Sequence, residues 1–242
     1  MRRLYVAARA PRAGEAKTRL GATVGHDAAA RLYGAFLADL SGRLRAARLP
    51  VAWSVTPGSW PAVSPLVGGG RHREQRGDTW GQRQANLFRD AGAAGECPVV
   101  LIASDSPHLE LDTVQAAFAA LERVDVVLGP TLDGGYYLVG PGPAPDLLAQ
   151  VEMGRGDVLR QVMRRARRLG LRTATVPPTF DVDTAEDLEA LAAEVGRRTD
   201  LPATAAVLAV LSSADPSAAR LEQPDSRGPG AGGDRCLNDW RW

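Results

Sequence analysis

Two spacings of apolar residues alternate along this chain. Leu32, Phe36, Leu40 and Leu44 recur at every fourth position and predict a helix over 27–48 with one apolar face, ended by Pro50. Between such helices lie short, mostly apolar runs at 4–8, 51–55 and 98–103, with further strand candidates at 125–128, 136–139 and 171–176. Runs rich in branched residues and bounded by turn formers read as strands buried on both faces, the pattern of a parallel sheet. A short polar strand is expected near 71–75, and helical periodicity returns at 80–91, 110–122, 155–168 and from Thr184 onward. Residues 9–18 and the Pro/Gly/Ser/Trp-rich stretch 56–70 read as connections. The alternation predicts an α/β fold: one domain over 1–198, its mostly parallel sheet covered by helices on both faces. Residues 199–212 allow one short apolar helix, and 213–242, rich in Ser, Pro, Gly, Asp and Arg, read as a disordered tail.

Composition narrows the class of partner. With 242 residues, 45% hydrophobic and 24% charged, the chain can bury one sizeable core. Lys plus Arg number 29 against 28 Asp plus Glu, so no overall field favours nucleic acid or an anionic membrane. Lys17 is the only lysine in a chain that otherwise uses arginine. Cys97 and Cys236 have neither CxxC spacing nor a disulfide framework, which fits a reducing compartment. Arg9 and Arg12 interrupt any signal-peptide core, and no apolar run reaches membrane-spanning length. A soluble cytoplasmic protein is the expectation.

Candidate chemistry gathers at the ends of predicted strands. Asp105, in Ser104-Asp105-Ser106-Pro107, follows the 98–103 strand, and the carboxyl ends of such strands face the ligand crevice of an open α/β sheet. A carboxylate there can hold a divalent cation against a diphosphate, or simply cap the next helix. The loop after the first strand carries Gly14, Lys17 and Arg19, where backbone and two cations can meet phosphates, although it matches neither a P-loop nor GxGxxG. Thr131-Leu132-Asp133-Gly134-Gly135-Tyr136-Tyr137 sets a carboxylate beside two glycines that allow close approach of a ligand, with a tyrosine to stack; it is equally a tight turn before core tyrosines. Asp181 and Asp183 flank Val182, so extended backbone turns both carboxylates to one face, while Thr184 and Asp187 resemble a capping box. Gln75-Arg76-Gly77-Asp78 and the following Gly81 and Arg83 form a polar turn before a helix, suited to a base or sugar and also to an ordinary helix start.

Taken in order, AxxPxxGxxKTRL at 8–20, QxGDxxGxR at 75–83, SDSPxL at 104–109, DGGYYLVG at 133–140 and DVDTAEDL at 181–188 resemble the DUF2064 group of GT-A-like transferases. That group includes proteins described as arsenosugar-biosynthesis glycosyltransferases and is similar to nucleotidyltransferases such as 2-phospholactate guanylyltransferase. The resemblance implies a GT-A or nucleotide-diphospho-sugar transferase-like sheet with a nucleotide bound by Ala8, Pro11, Gly14, Lys17, Arg19, Gln75, Asp78, Arg83 and Ser104. It further implies Mg²⁺ or Mn²⁺ between Asp105 and Asp183, catalysis by Asp105, Asp133 and Lys17, and a small-molecule acceptor near Gly134, Gly135, Tyr136 and His108. Two positions depart from the group: Ser106 and His108 stand where Cys and Asp are frequent, and Met153-Gly154-Arg155 replaces a Trp-Ser/Thr pair. The expected activity is transfer of a sugar from a nucleoside-diphosphate sugar; the alternatives are nucleotidyl transfer from an NTP with release of pyrophosphate, and a non-catalytic nucleotide-binding module. His108 is expected on an exposed loop, as is the side chain of Lys17.

Overall fold

The computed structural model describes residues 1–142, 145–154 and 156–213. The expected tail from 214 onward and Arg155 lie outside these residues. Seven strands form one sheet: β1 (Arg3–Ala8), β2 (Val51–Val55), β3 (His72–Glu74), β4 (Val99–Ala103), β5 (Val126–Pro130), β6 (Tyr136–Gly140) and β7 (Thr173–Thr175). Their order is β3-β2-β1-β4-β6-β5-β7, and every pairing is parallel except those of β6, which runs antiparallel between β4 and β5. Helices α1 (Thr18–Val24), α2 (His26–Ala46), α3 (Trp60–Val67), α4 (Trp80–Ala93), α5 (Leu111–Ala120), α6 (Val158–Arg168), α7 (Ala185–Val195) and α8 (Pro202–Ser213) surround it.

Alternation along each strand builds two apolar layers. Leu4, Val6, Val100 and Ile102 face one layer with Leu32, Phe36 and Leu40 of α2, whereas Tyr5, Ala7, Val99 and Leu101 face another with Leu87 and Phe88 of α4 and Val162 of α6. The fourfold periodicity of α2 is thus spent on the sheet, as its spacing requires.

Two helices lie where only connections were expected. In α3, Pro61 occupies the first turn, where a missing N–H costs nothing, and Val63 and Val67 bury the helix against the core. The seven-residue α1 buries little beyond Leu20 and Gly21, too few positions to show a period. The last helix is built in from across the fold: Asp39 of α2 accepts hydrogen bonds from the backbone N–H of Ala203 (2.9 Å) and Thr204 (2.7 Å) and so caps α8.

Candidate active site

The chain leaves β1 toward β2 on one side of the sheet, and leaves β4 toward β5 on the other, so the strand order reverses between β1 and β4. At such a switch point a crevice opens beyond the carboxyl ends of the strands. The loop 9–17 after β1 and the turn 104–109 after β4 meet across it.

Lys17 stands at the centre of that meeting. Its backbone is left-handed, φ 52° and ψ 46°, a region costing an ordinary residue roughly 1–2 kcal/mol, and from there it begins α1. The side chain is 4% exposed, contrary to the solvated position expected for it. Nζ contacts Asp105 Oδ1 and donates to Asp183 Oδ1 at 3.1 Å, while Arg19 pairs with the other oxygen of Asp183. Burial disfavours the ammonium, but the charges of Asp105 and Asp183 outweigh it and hold Lys17 well above the usual lysine range. Asp181, one face with Asp183 as the alternation predicts, accepts a hydrogen bond from Ser106 Oγ at 2.6 Å. Its burial, with the charge of Asp105 adding, pushes its carboxyl up to about 7.

The turn carrying Asp105 is fixed from behind. The Arg43 guanidinium on α2 donates to the carbonyl oxygens of Pro107 and Leu109 (2.8 Å to the latter) and pairs with Asp200 at 2.7 Å; Arg198 donates to the His108 carbonyl at 3.1 Å. Ser104, expected on the nucleotide, is buried with its hydroxyl 2.8 Å from that of Tyr33, and so serves the turn's position. His108 corrects the expectation further. It is 6% exposed, its ring lies tilted against that of Phe180 with centroids 4.1 Å apart, and Nε2 lies 3.1 Å from Thr179 Oγ1. It is absent from the walls of the cleft described next, because packing against Phe180 turns it into the protein. Burial lowers it to about 4, helped by Arg198 and Arg43 and opposed by Glu194 and Glu110.

Beside the charged centre lies a cleft of about 190 Å³. Asp133, Gly135, Tyr136, Asp181 and Asp183 line it, together with Trp80, Leu101, Val139, Met153 and Val158. Asp133 Oδ1 accepts from Thr131 Oγ1 (2.5 Å) and from the Gly135 N–H (3.0 Å), which closes the turn on itself. Gly134 lends its freedom to the chain itself: at φ 87°, a Cβ there would sit 2.1 Å from the Gly156 carbonyl oxygen, so the turn can lie against the segment before α6. The Tyr136 hydroxyl is 2.9 Å from Gln84 Nε2.

Of the residues expected to bind a nucleotide, Ala8 ends β1 and Gly14 takes φ 75° in the loop that follows. Pro11 is half-buried in that loop. Gln75 follows β3 and is buried, donating to the Ser54 carbonyl at 2.9 Å; Asp78 is exposed, and Arg83 Nε donates to the Gly77 carbonyl at 2.9 Å. The parallel strands β1, β2 and β3 bring these segments to one edge of the sheet as Lys17 and Asp105. Sequence reasoning undervalued Asp181, whose alternation with Asp183 was the available signal. It missed Gln84, a fully buried polar residue one turn after Trp80 on the apolar face of α4.

For a divalent ion, the donor set suits the metal: carboxylate oxygens of Asp105 and Asp183 converge on one point, which the Lys17 ammonium reaches. Among the described residues no cluster of three or more His, Cys, Asp or Glu side chains forms a cage. Mg²⁺ beside a nucleotide needs none, since one or two carboxylates, phosphate oxygens and water complete its shell.

The profile of a family described as "Uncharacterized protein conserved in bacteria (DUF2064)" matches residues 39–155. A solved candidate nucleotide-diphospho-sugar transferase from Desulfovibrio desulfuricans G20 is 30% identical, with 88% of this chain and 98% of that one aligned at a TM-score of 0.77. The fold is also that of a cytidylyltransferase from Leptospira borgpetersenii serovar Hardjo-bovis (13% identity, 88% and 94% of the chains, TM-score 0.54). It is shared too with a 4-diphosphocytidyl-2C-methyl-D-erythritol synthase (12%, 80% and 98%, TM-score 0.51). No curated protein sequence matches the chain.

Proposed function

The chain belongs to the DUF2064 family, and from that premise we propose that it is a metal-dependent transferase that uses a nucleotide-activated donor, with a nucleoside-diphosphate sugar as the donor and a small molecule as the acceptor. The observation that carries this reading is the convergence of Lys17, Asp105 and Asp183 at the switch point of the sheet. Supporting it, the relative at 30% identity is named as a candidate nucleotide-diphospho-sugar transferase.

In this mechanism Asp105 and Asp183 hold Mg²⁺ or Mn²⁺, which when bound supplies positive charge to the diphosphate. Lys17 and Arg19 offer cationic donors to the same oxygens, and the backbone around Gly14 can come close to them. The acceptor oxygen bonds to the anomeric carbon as that carbon's bond to the diphosphate oxygen breaks. The bonding pair leaves with the diphosphate, and the hydroxyl proton passes to a carboxylate of the cleft, with Asp133 placed to orient the acceptor.

Thermal unfolding in the presence of nucleotide sugars or free NTPs, with Mg²⁺ or Mn²⁺, tests the reading, since a ligand of the folded state raises the melting temperature with its concentration. A UDP-, GDP- or ADP-sugar should stabilise the protein only with the metal, and Asp105→Asn should abolish that metal dependence. Stabilisation by free NTPs together with pyrophosphate release would replace glycosyl by nucleotidyl transfer, and binding without any turnover would leave a nucleotide-binding module.

A further inference from the structure

The point on which Asp105 and Asp183 converge is filled by a cation of the chain itself. Lys17 Nζ contacts Asp105 Oδ1 and donates to Asp183 Oδ1 at 3.1 Å, with its side chain 4% exposed. The backbone delivers it there: the left-handed Lys17 opens α1, and its carbonyl accepts the Gly21 N–H at 2.7 Å. The face of Tyr33, its ring centroid 5.9 Å from Nζ, adds a surface that favours positive charge. Arg19 is placed differently, since it meets the other oxygen of Asp183 and its side chain is 45% exposed.

We propose that a divalent ion reaches Asp105 and Asp183 only by displacing the Lys17 ammonium, so that the lysine and the metal are alternative occupants of one position. The inference rests on the transferase reading for the identity of the two carboxylates as metal ligands. Mg²⁺ binds carboxylate oxygen at about 2.0–2.1 Å, whereas an ammonium takes the same oxygens at about 2.7–2.9 Å. A metal on the two Oδ1 atoms would therefore lie within a few ångströms of Nζ, in a buried site where little water stands between the two cations. Repulsion at that distance favours one cation at a time. The lysine holds the two acidic segments together, and the metal takes over that task on arrival. Freed from the carboxylates, the ammonium is available to the diphosphate, which gives one side chain two successive partners.

Mn²⁺ binding to the full chain, read from the electron paramagnetic resonance signal of the free ion, tests this without nucleotide or turnover. Lys17→Met, which approaches the length of the side chain and drops its charge, should bind Mn²⁺ at least about tenfold more tightly than the unaltered protein, a difference of about 1.4 kcal/mol. Arg19→Gln removes a charge from the same carboxylate pair but not from the shared position, and solvent screens it, so its gain should stay under about threefold. Asp105→Asn added to Lys17→Met should abolish the gain, which locates the ion. Lys17→Met should also melt below the unaltered protein, and Mn²⁺ should raise its melting temperature by more than it raises that of the unaltered protein. A Lys17→Met affinity no higher than that of the unaltered protein, an equal gain in Arg19→Gln, a gain that survives Asp105→Asn, or a Lys17→Met protein that stays unfolded in excess Mn²⁺ would overturn the inference. Nucleotide-sugar stabilisation of the unaltered protein is followed separately. Its failure removes the transferase reading and leaves the exclusion standing on the Mn²⁺ gain, whereas its success without that gain removes the exclusion alone.

Discussion

Two acidic turns leave the same edge of the sheet, and they are held in opposite ways. The turn 104–109 is buried: Asp105 meets Lys17, Ser104 meets Tyr33, and Arg43 and Arg198 hold its carbonyls from behind. The turn 131–135 faces outward, with Leu132 76% exposed, and among the described residues its carboxylate is bonded only within the turn, by Thr131 and Gly135. One carboxylate is therefore fixed by the whole fold and the other by its immediate neighbours. A group that must present charge to a metal and diphosphate gains from the first arrangement, and one that must adjust to an acceptor gains from the second.

The comparison breaks most sharply at Lys17. Removing one partner from a buried ionic cluster strands the others, so Lys17→Ala should destabilise the protein by about 3–5 kcal/mol, read as a fall in the denaturant midpoint. Unchanged stability would mean that Asp105 and Asp183 are not dependent on that ammonium. Next is the acid response of the buried turn. His108, lowered to about 4 in the folded protein, has an ordinary value near 6.5, so the unfolded chain takes up the proton first. The contribution of His108 is therefore complete above about pH 6.5 and is lost as the pH drops toward 4, by on the order of 3 kcal/mol, while Asp181, raised to about 7, acts in the opposite direction over the same window. His108→Gln should remove that loss from the stability profile across the window; an unaltered slope would show that the ring protonates in place. Smaller effects belong to the outer turn. Thr131→Val removes one hydrogen bond to Asp133 and should cost about 0.5–1.5 kcal/mol. Asp133→Asn should change stability by less than about 0.5 kcal/mol, as exposed substitutions generally do, while raising the acceptor KM. A loss as large as that of Lys17→Ala would erase the distinction between the turns.

The architecture was legible wherever an element was long enough to repeat its pattern. Leu32 to Leu44 declared α2, and the run ending at Ala103 placed Asp105 at a strand's carboxyl end. Short helices were not legible: α1 is too brief for a period, and the prolines of α3 look like loop residues until one of them is seen in the first turn. Nor does composition reveal that β6 runs antiparallel, since a strand buried on both faces has the same residues in either direction. Within the site, the acidic and basic residue types were visible, but their mutual burial was not. Lys17 and Asp183 lie 166 positions apart, and only the packed sheet makes a lysine side chain with 4% exposure tolerable. His108 failed for the same reason, because Phe180, which covers it, comes from the far end of the domain.

The carboxylate of Asp39 has a consequence for how the molecule breathes. It grips α8 at the backbone of Ala203 and Thr204, whereas Val210 near the other end is 60% exposed. Opening of this helix should therefore travel backward from Ser213, so that amide hydrogen exchange is fastest there and slows turn by turn toward Ala205. Asp39→Ala should abolish that gradient and let the helix exchange as one unit.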